Sequence, residues 1–247
     1  MTSTPAGAPL RIAHSYGNSR ELVRIALENR VDVIEADVRL RGGRLWLAHD
    51  RRLLFWGLLF GRRAPGRPSL PLWAFLLGRR RLRLGSDRFP LEELPAMVAG
   101  KCGLLLDLKS PWLAGNRRRF VEALLAMLRA SDQTAVRLCG DWPLLDGVRR
   151  AIPDSRVYYS VADRRRWRAF VRRVENGDPI RGVSLRASLL DASTARFLRD
   201  RGIEVFCWPV DDYAEAARVT ALGAAGIISY DLAVLAAIGG ATGEERR

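Results

Sequence analysis

Apolar runs of strand length alternate along most of the chain with segments in which apolar residues recur every three or four positions. The first run is RIAHS, Arg11–Ser15, and Arg20–Arg30 follows it with Leu22, Ile25 and Ala26 on one helical side. Next comes VDVIEADVRLRGGRLWLAHD, Val31–Asp50, which reads as two short strands joined by Arg-Gly-Gly-Arg. Further strands are expected in CGLLLDLK, AVRLCGD, SRVYYSVAD, RGVSLRASLL, IEVFCWPV and AAGIISYD. Helical spacing fills the gaps between them, with capping residues at Asn116, Asp191 and Asp212 and with Gly202 and Gly223 just past helix ends.

With the second strand of the Val31–Asp50 pair set aside as an extra, eight apolar strands alternating with helices over 247 residues predict one domain spanning 1–247, an α/β (β/α)8 TIM barrel. A doubly wound open sheet is the competitor. It would want a glycine-rich phosphate loop after the first strand, and HSYGNS is not one. The segment 51–90 fits neither pattern and is expected to be a basic, apolar insertion at the barrel mouth.

Active sites of such barrels sit at the C-terminal ends of the strands, so the residues expected there decide the chemistry. His14 ends the first strand, and Glu35 and Asp37 lie late in the second. His49 and Asp50 end the extra strand, Asp107 and Lys109 the third, and Trp208 the seventh, with Asp211 just beyond. Residues i and i+2 of a strand share a face, so Glu35 and Asp37 aim together into the mouth. With Asp107 they make three hard oxygen ligands, which suits one divalent cation, Mg²⁺ or Ca²⁺. Two histidines beside such an ion and a lysine suit a phosphodiester: the cations neutralise phosphate oxygens, while one histidine takes a proton and the other gives one. Taken singly, each of these residues could be a solvated or arginine-paired side chain. Their order at successive strand ends is what favours a site.

Composition adds direction. The net charge is +14, and Lys101 and Lys109 are the only lysines, so arginine supplies nearly all of it. A charge of that size favours anionic partners. Nucleic acid is not expected, because the triple-arginine runs at 79–81, 117–119 and 164–166 belong to different elements and form no single stripe. Cys102, Cys139 and Cys207 are too scattered for a disulfide framework or a zinc site. The chain shows no secretory signal and no apolar run of the roughly 20 residues that span a bilayer, so a cytoplasmic location is expected.

These residues resemble the glycerophosphodiester phosphodiesterase family, within the wider phosphatidylinositol-phospholipase-C-like superfamily. The motifs are the His14 strand end, NSRELVRIALENRVDVIEADV, LAHD, FPLEEL, LLLDLKS, VFCWPVDD and GAAGIISYD. The resemblance implies acid–base roles for His14 and His49, metal ligation by Glu35, Asp37 and Asp107, and phosphate contact by Lys109. It implies lipid metabolism, with a phosphodiester small molecule or a lysophospholipid as substrate. Three departures stand out. Ser15 occupies the position of the family's phosphate-gripping arginine, in a shortened loop. Asp107-Leu108-Lys109 replaces the usual Glu-x-Lys, and LCGDW stands where a Ser-Phe pattern is expected. The short loop and the Asp-x-Lys are similar to the sphingomyelinase D-like branch. Ser15, Lys109 and Trp208 are thus the expected substrate contacts, and Asp50 and Asp211 the expected supports behind them.

Within the insertion, Leu53–Phe60 and Leu70–Leu77 are apolar patches bracketed by arginines. One reading is a cover or dimer contact. The other is peripheral attachment at the inner membrane surface, in which Phe55, Trp56 and Trp73 enter the headgroup region while arginines meet anionic lipid. The rival to an enzyme is the same barrel without turnover, serving as a membrane-associated phospholipid-binding protein.

Overall fold

The computed structural model describes residues 7–48, 51–53, 58–62, 80–84, 89–111, 115–130 and 136–240. In chain order the strands are β1 (Leu10–Ala13), β2 (Val33–Arg41), β3 (Arg44–Leu47), β4 (Arg51–Leu53), β5 (Leu58–Arg62), β6 (Arg80–Leu84) and β7 (Phe89–Pro90). They continue as β8 (Gly103–Leu108), β9 (Val136–Gly140), β10 (Arg156–Val161), β11 (Gly182–Arg186), β12 (Glu204–Trp208) and β13 (Gly226–Ser229). The helices are α1 (Arg20–Glu28), α2 (Leu94–Val98), α3 (Asn116–Ala130), α4 (Trp142–Ala151), α5 (Arg164–Glu175), α6 (Ala192–Arg199), α7 (Tyr213–Ala221) and α8 (Leu232–Gly240).

Eight of these strands are parallel and close on themselves in the order β1, β2, β8, β9, β10, β11, β12, β13, with β1 bonded to both β13 and β2. This is the expected (β/α)8 barrel. Alternation along each strand sorts the side chains into two cores. Ile34, Ala36, Val38, Leu104, Leu106, Leu108, Val183 and Leu185 face the helices, and all are buried. Ile12, Val33, Leu105, Cys139, Tyr158, Phe206 and Ile228 fill the barrel interior. Tyr158 and Phe206 stack there with ring centroids 4.0 Å apart, in room left by Gly182 and Gly226 on the neighbouring strands. Burying side chains of this size stabilises by about 1.5–3 kcal/mol each.

Helix starts follow capping chemistry. The side chains of Ser19, Asp141, Asp163, Asp191 and Asp212 each accept a backbone N–H at a helix start. Asn116, expected as a cap, is instead the first residue of α3. Part of the arginine excess is structural: Arg149 and Arg173 hold Asp146 and Asp178 behind Tyr159, whose hydroxyl donates to Asp146 at 2.7 Å.

The expected hairpin is present. β2 turns through Gly42 and Gly43, both at positive φ (56° and 79°), into antiparallel β3, as a two-residue primed turn requires. β3 then pairs with β7, Leu47 opposite Phe89, so the chain leaves for the insertion and returns at adjacent strands. Within it, β4, β5 and β6 form a separate three-stranded antiparallel sheet that the sequence pattern had not signalled. Among the described residues no helix is long and apolar enough to cross a membrane.

Candidate active site

The site starts from strand alternation in β2. Three apolar residues face the helices, which turns Glu35 and Asp37 inward, and they are only 3% and 1% exposed. Asp107 lies level with Asp37 on neighbouring β8. Oxygens from the three carboxylates lie within 4.8 Å of one another. So close a cluster needs compensation, and it is built into the adjoining segments.

The HSYGNS turn wraps over the end of β2. Ser15 takes a left-handed backbone (φ 63°), which aims its N–H at Glu35 Oε2 (2.5 Å) and its hydroxyl at Asp37 Oδ2 (3.2 Å). Asn18 clamps Asp37 from both ends: its Nδ2 donates to Oδ2 at 2.6 Å, and its Oδ1 accepts the Asp37 backbone N–H at 2.8 Å. Gly17 lets this turn lie directly on β2, since a Cβ there would sit 2.4 Å from the Cβ of Ala36.

Lys109 supplies the counter-charge. Its Nζ lies 2.6 Å from Asp37 Oδ1 and also bonds Asp107 Oδ2. Burial alone would favour the neutral amine, but Asp107, Asp37 and Glu35 outweigh it and push the ammonium well above its ordinary range. Burial, and after it the charges of Asp37 and Asp107, push the Glu35 carboxyl well above its ordinary value. Cys139, level with Asp107 on β9, has its thiol pushed up by burial and by the same carboxylates, so it serves as inert packing. Gly140 follows at φ 113°, and a Cβ there would meet Asp107 Oδ1 and the Leu108 carbonyl oxygen at 2.4 Å each. The carboxylate occupies the space that this residue lacks.

On the other side of β2, His14 directly follows β1 and donates its backbone N–H to Ser229 O at 2.8 Å. Its ring stacks on Tyr230 at a centroid distance of 3.9 Å. Asp211 fixes that segment by accepting from Ser229 Oγ (3.0 Å) and from the Tyr230 N–H (2.9 Å). Trp208 ends β12 and packs on the interior cluster. Ala48 N donates to Asp37 O at 2.9 Å, which brings β3 back to the level of the carboxylates. The next two residues, His49 and Asp50, lie outside the described residues, as do Phe55, Trp56 and Trp73.

With all three carboxylates ionised against one ammonium, two negative charges are in excess, which one divalent cation would offset. Glu35, Asp37 and Asp107 therefore fit such an ion in charge, donor type and spacing. Asn18, Gly140 and Tyr230 were not foreseen from the sequence as parts of this site.

No protein-family model and no curated protein matches the sequence. Solved structures do match. A phosphodiesterase from Oleispira antarctica, in complex with its product sn-glycerol-3-phosphate, is 19% identical with a TM-score of 0.69, over 94% of this chain and 97% of that one. The chain has the fold of the glycerophosphodiester phosphodiesterases. A member from Parabacteroides distasonis gives 18% identity and a TM-score of 0.69, over 95% and 98% of the two chains. Another, from Thermotoga maritima, gives 19% and 0.64, over 92% and 96%. The sphingomyelinase D-like likeness rests on the sequence motifs alone.

Proposed function

We propose that this protein is a metal-dependent phosphoric diester hydrolase that cleaves glycerophosphodiesters or the headgroup esters of lysophospholipids. The observation that carries this reading is the Glu35–Asp37–Asp107 cluster, with Glu35 and Asp37 buried and Asp107 partly exposed, opening beside His14 in a barrel of the phosphodiesterase fold. The product held by the Oleispira antarctica structure points to the same substrate class.

Glu35, Asp37 and Asp107 would hold one Mg²⁺ or Ca²⁺, which when bound would polarise the phosphate oxygens. The rest falls to the chain's own groups. Lys109 adds a second positive charge beside the phosphate oxygens. Tyr230 holds the His14 ring in place, and Asp211 holds Tyr230. His14 and His49 form the acid–base pair: one removes the proton of the attacking oxygen, and the other protonates the departing alkoxide. Attack by water gives a phosphomonoester and an alcohol. Attack by a neighbouring substrate hydroxyl gives a cyclic phosphate and the same alcohol. Ser15 and Trp208 are assigned to border the substrate, and Asp50 is assigned a supporting role for His49. The insertion, through Phe55, Trp56, Trp73 and its arginines, is assigned to peripheral contact with anionic lipid, worth about 1 kcal/mol per basic residue.

The test is turnover of a panel of glycerophosphodiesters and lysophospholipids by pure protein with Mg²⁺, with Ca²⁺ and with EDTA, following alcohol release and both phosphate products. Product that depends on the ion supports the reading. Folded, ion-binding protein with no turnover contradicts it. Liposome pelleting of a Phe55→Ser, Trp56→Ser, Trp73→Ser variant tests the membrane contact, and unchanged pelleting contradicts it.

A further inference from the structure

In β11, Val183 and Leu185 face the helices, so alternation turns Ser184 and Arg186 inward, and Arg186 stands at the C-terminal end of the strand. It is level with Trp208 on β12, and its guanidinium carbon lies over the indole, 5.7 Å from the ring centroid. Around the barrel, β11 is four strands from β2 in either direction, through β12, β13 and β1 or through β10, β9 and β8. Arg186 and Trp208 thus line the wall of the mouth that faces the carboxylate cluster.

Two features make this wall unusual. Arg11, Arg149 and Arg173 are fixed on aspartates, but among the described residues no carboxylate or carbonyl accepts from the guanidinium of Arg186. The Trp208 Nε1 is buried and has no acceptor among the described residues either. An arginine offers donors and no acceptor, and an indole a single donor. Arg186 and Trp208 therefore present hydrogen-bond donors and a positive charge at this wall, and the indole face that could hold a quaternary ammonium already carries a guanidinium.

Charge balance points the same way. Three carboxylates, Lys109 and one divalent cation sum to zero, so the charge of a bound phosphodiester falls to groups outside the cluster. Those are the protonated member of the histidine pair and, on the opposite wall, Arg186.

We infer that Arg186 sets headgroup specificity: with Trp208 it receives the substituent beyond the phosphate, favouring acceptor-rich anionic or polyol headgroups and rejecting cationic ones. This rests on the phosphodiesterase reading and adds the substrate class to it. Like charges held several ångströms apart at a wetted wall discriminate on the order of tenfold. Arg186 touches the headgroup and not the reacting atoms, so the effect falls on KM more than on kcat.

The experiment compares kcat and KM for glycerophosphoinositol 4-phosphate, glycerophosphoglycerol and glycerophosphocholine, in wild type, Arg186→Gln and Arg186→Glu. The expected wild-type order is anionic, then neutral, then cationic. It should flatten in Arg186→Gln and reverse between the two extremes in Arg186→Glu. A wild type that prefers choline, or an order that survives Arg186→Glu, overturns the inference while leaving the hydrolase reading intact. If no diester is cleaved, the hydrolase reading fails, and equilibrium binding of inositol 1,4-bisphosphate against phosphocholine in Mg²⁺ decides the specificity. Tighter binding of the inositol phosphate, reversed in Arg186→Glu, supports the inference. Equal affinities overturn it.

Discussion

Replacing Gly140 by alanine perturbs the carboxylate site through the backbone alone. Its φ of 113° is one that residues with a side chain rarely adopt, and the added Cβ would stand 2.4 Å from both Asp107 Oδ1 and Leu108 O. Backbone strain of this kind costs about 1–3 kcal/mol, and crowding a packed interior costs about as much again. Together they predict a loss of about 2–6 kcal/mol. At about 2–4 °C per kcal/mol for a chain of this size, the melting temperature should fall by roughly 5–20 °C. Relief of the contact requires the Asp107 carboxylate to retreat by about 1 Å to ordinary van der Waals distance, which takes a ligand out of position. Scanning calorimetry with and without saturating Mg²⁺ or Ca²⁺, together with titration calorimetry of the ion, measures both effects. The variant should melt early, bind the ion at least tenfold more weakly and gain little from it. A variant that melts and binds like wild type refutes the placement of Gly140 against Asp107.

The other residues give sharper single outcomes. Lys109→Met leaves the buried carboxylates without their ammonium and should destabilise the metal-free protein by about 3–5 kcal/mol. Saturating divalent ion should then raise its melting temperature more than that of wild type, and equal shifts contradict the charge balance. Asn18→Ala strips Asp37 of two hydrogen bonds and should cost about 1–3 kcal/mol and weaken ion binding, as read by urea denaturation and ion titration. Asp146 is opposed by burial, yet hydrogen bonds from Arg173 and Tyr159 hold its carboxyl below the ordinary value. Its contribution is therefore present above the unfolded-state pKa of about 3.9 and is lost as pH falls through the lower folded value. Asp146→Asn should be about 1–2 kcal/mol less stable in urea at pH 7, with the gap closing towards pH 3, and a gap independent of pH contradicts it.

The barrel was legible because each strand and helix carries its own periodic signal, and Asp191 and Asp212 announce helix starts without help from distant residues. Glu35 and Asp37 were legible for the same reason: two carboxylates on one face of an apolar strand contradict their surroundings. Asn18, Gly140, Tyr230 and Arg186 were not, because their roles depend on which strands become neighbours. Asn18 matters only once its turn folds over β2, and Gly140 only once β9 lies beside β8. The β4–β5–β6 sheet escaped because β4 and β5 are short blocks of arginine and apolar residues, and the alternation of Arg81–Leu84 in β6 spans only four residues.

The proposed metal-dependent phosphodiester site, in which His14 moves a proton, is tested most directly by ³¹P NMR of a glycerophosphodiester. The diester is incubated with wild type and with His14→Ala, with ion binding titrated in the same samples. Wild type should convert the diester only with Mg²⁺ or Ca²⁺ present, and His14→Ala should bind the ion equally well but lose at least about a hundredfold in rate. Turnover in EDTA, or a His14→Ala protein as fast as wild type, would contradict it.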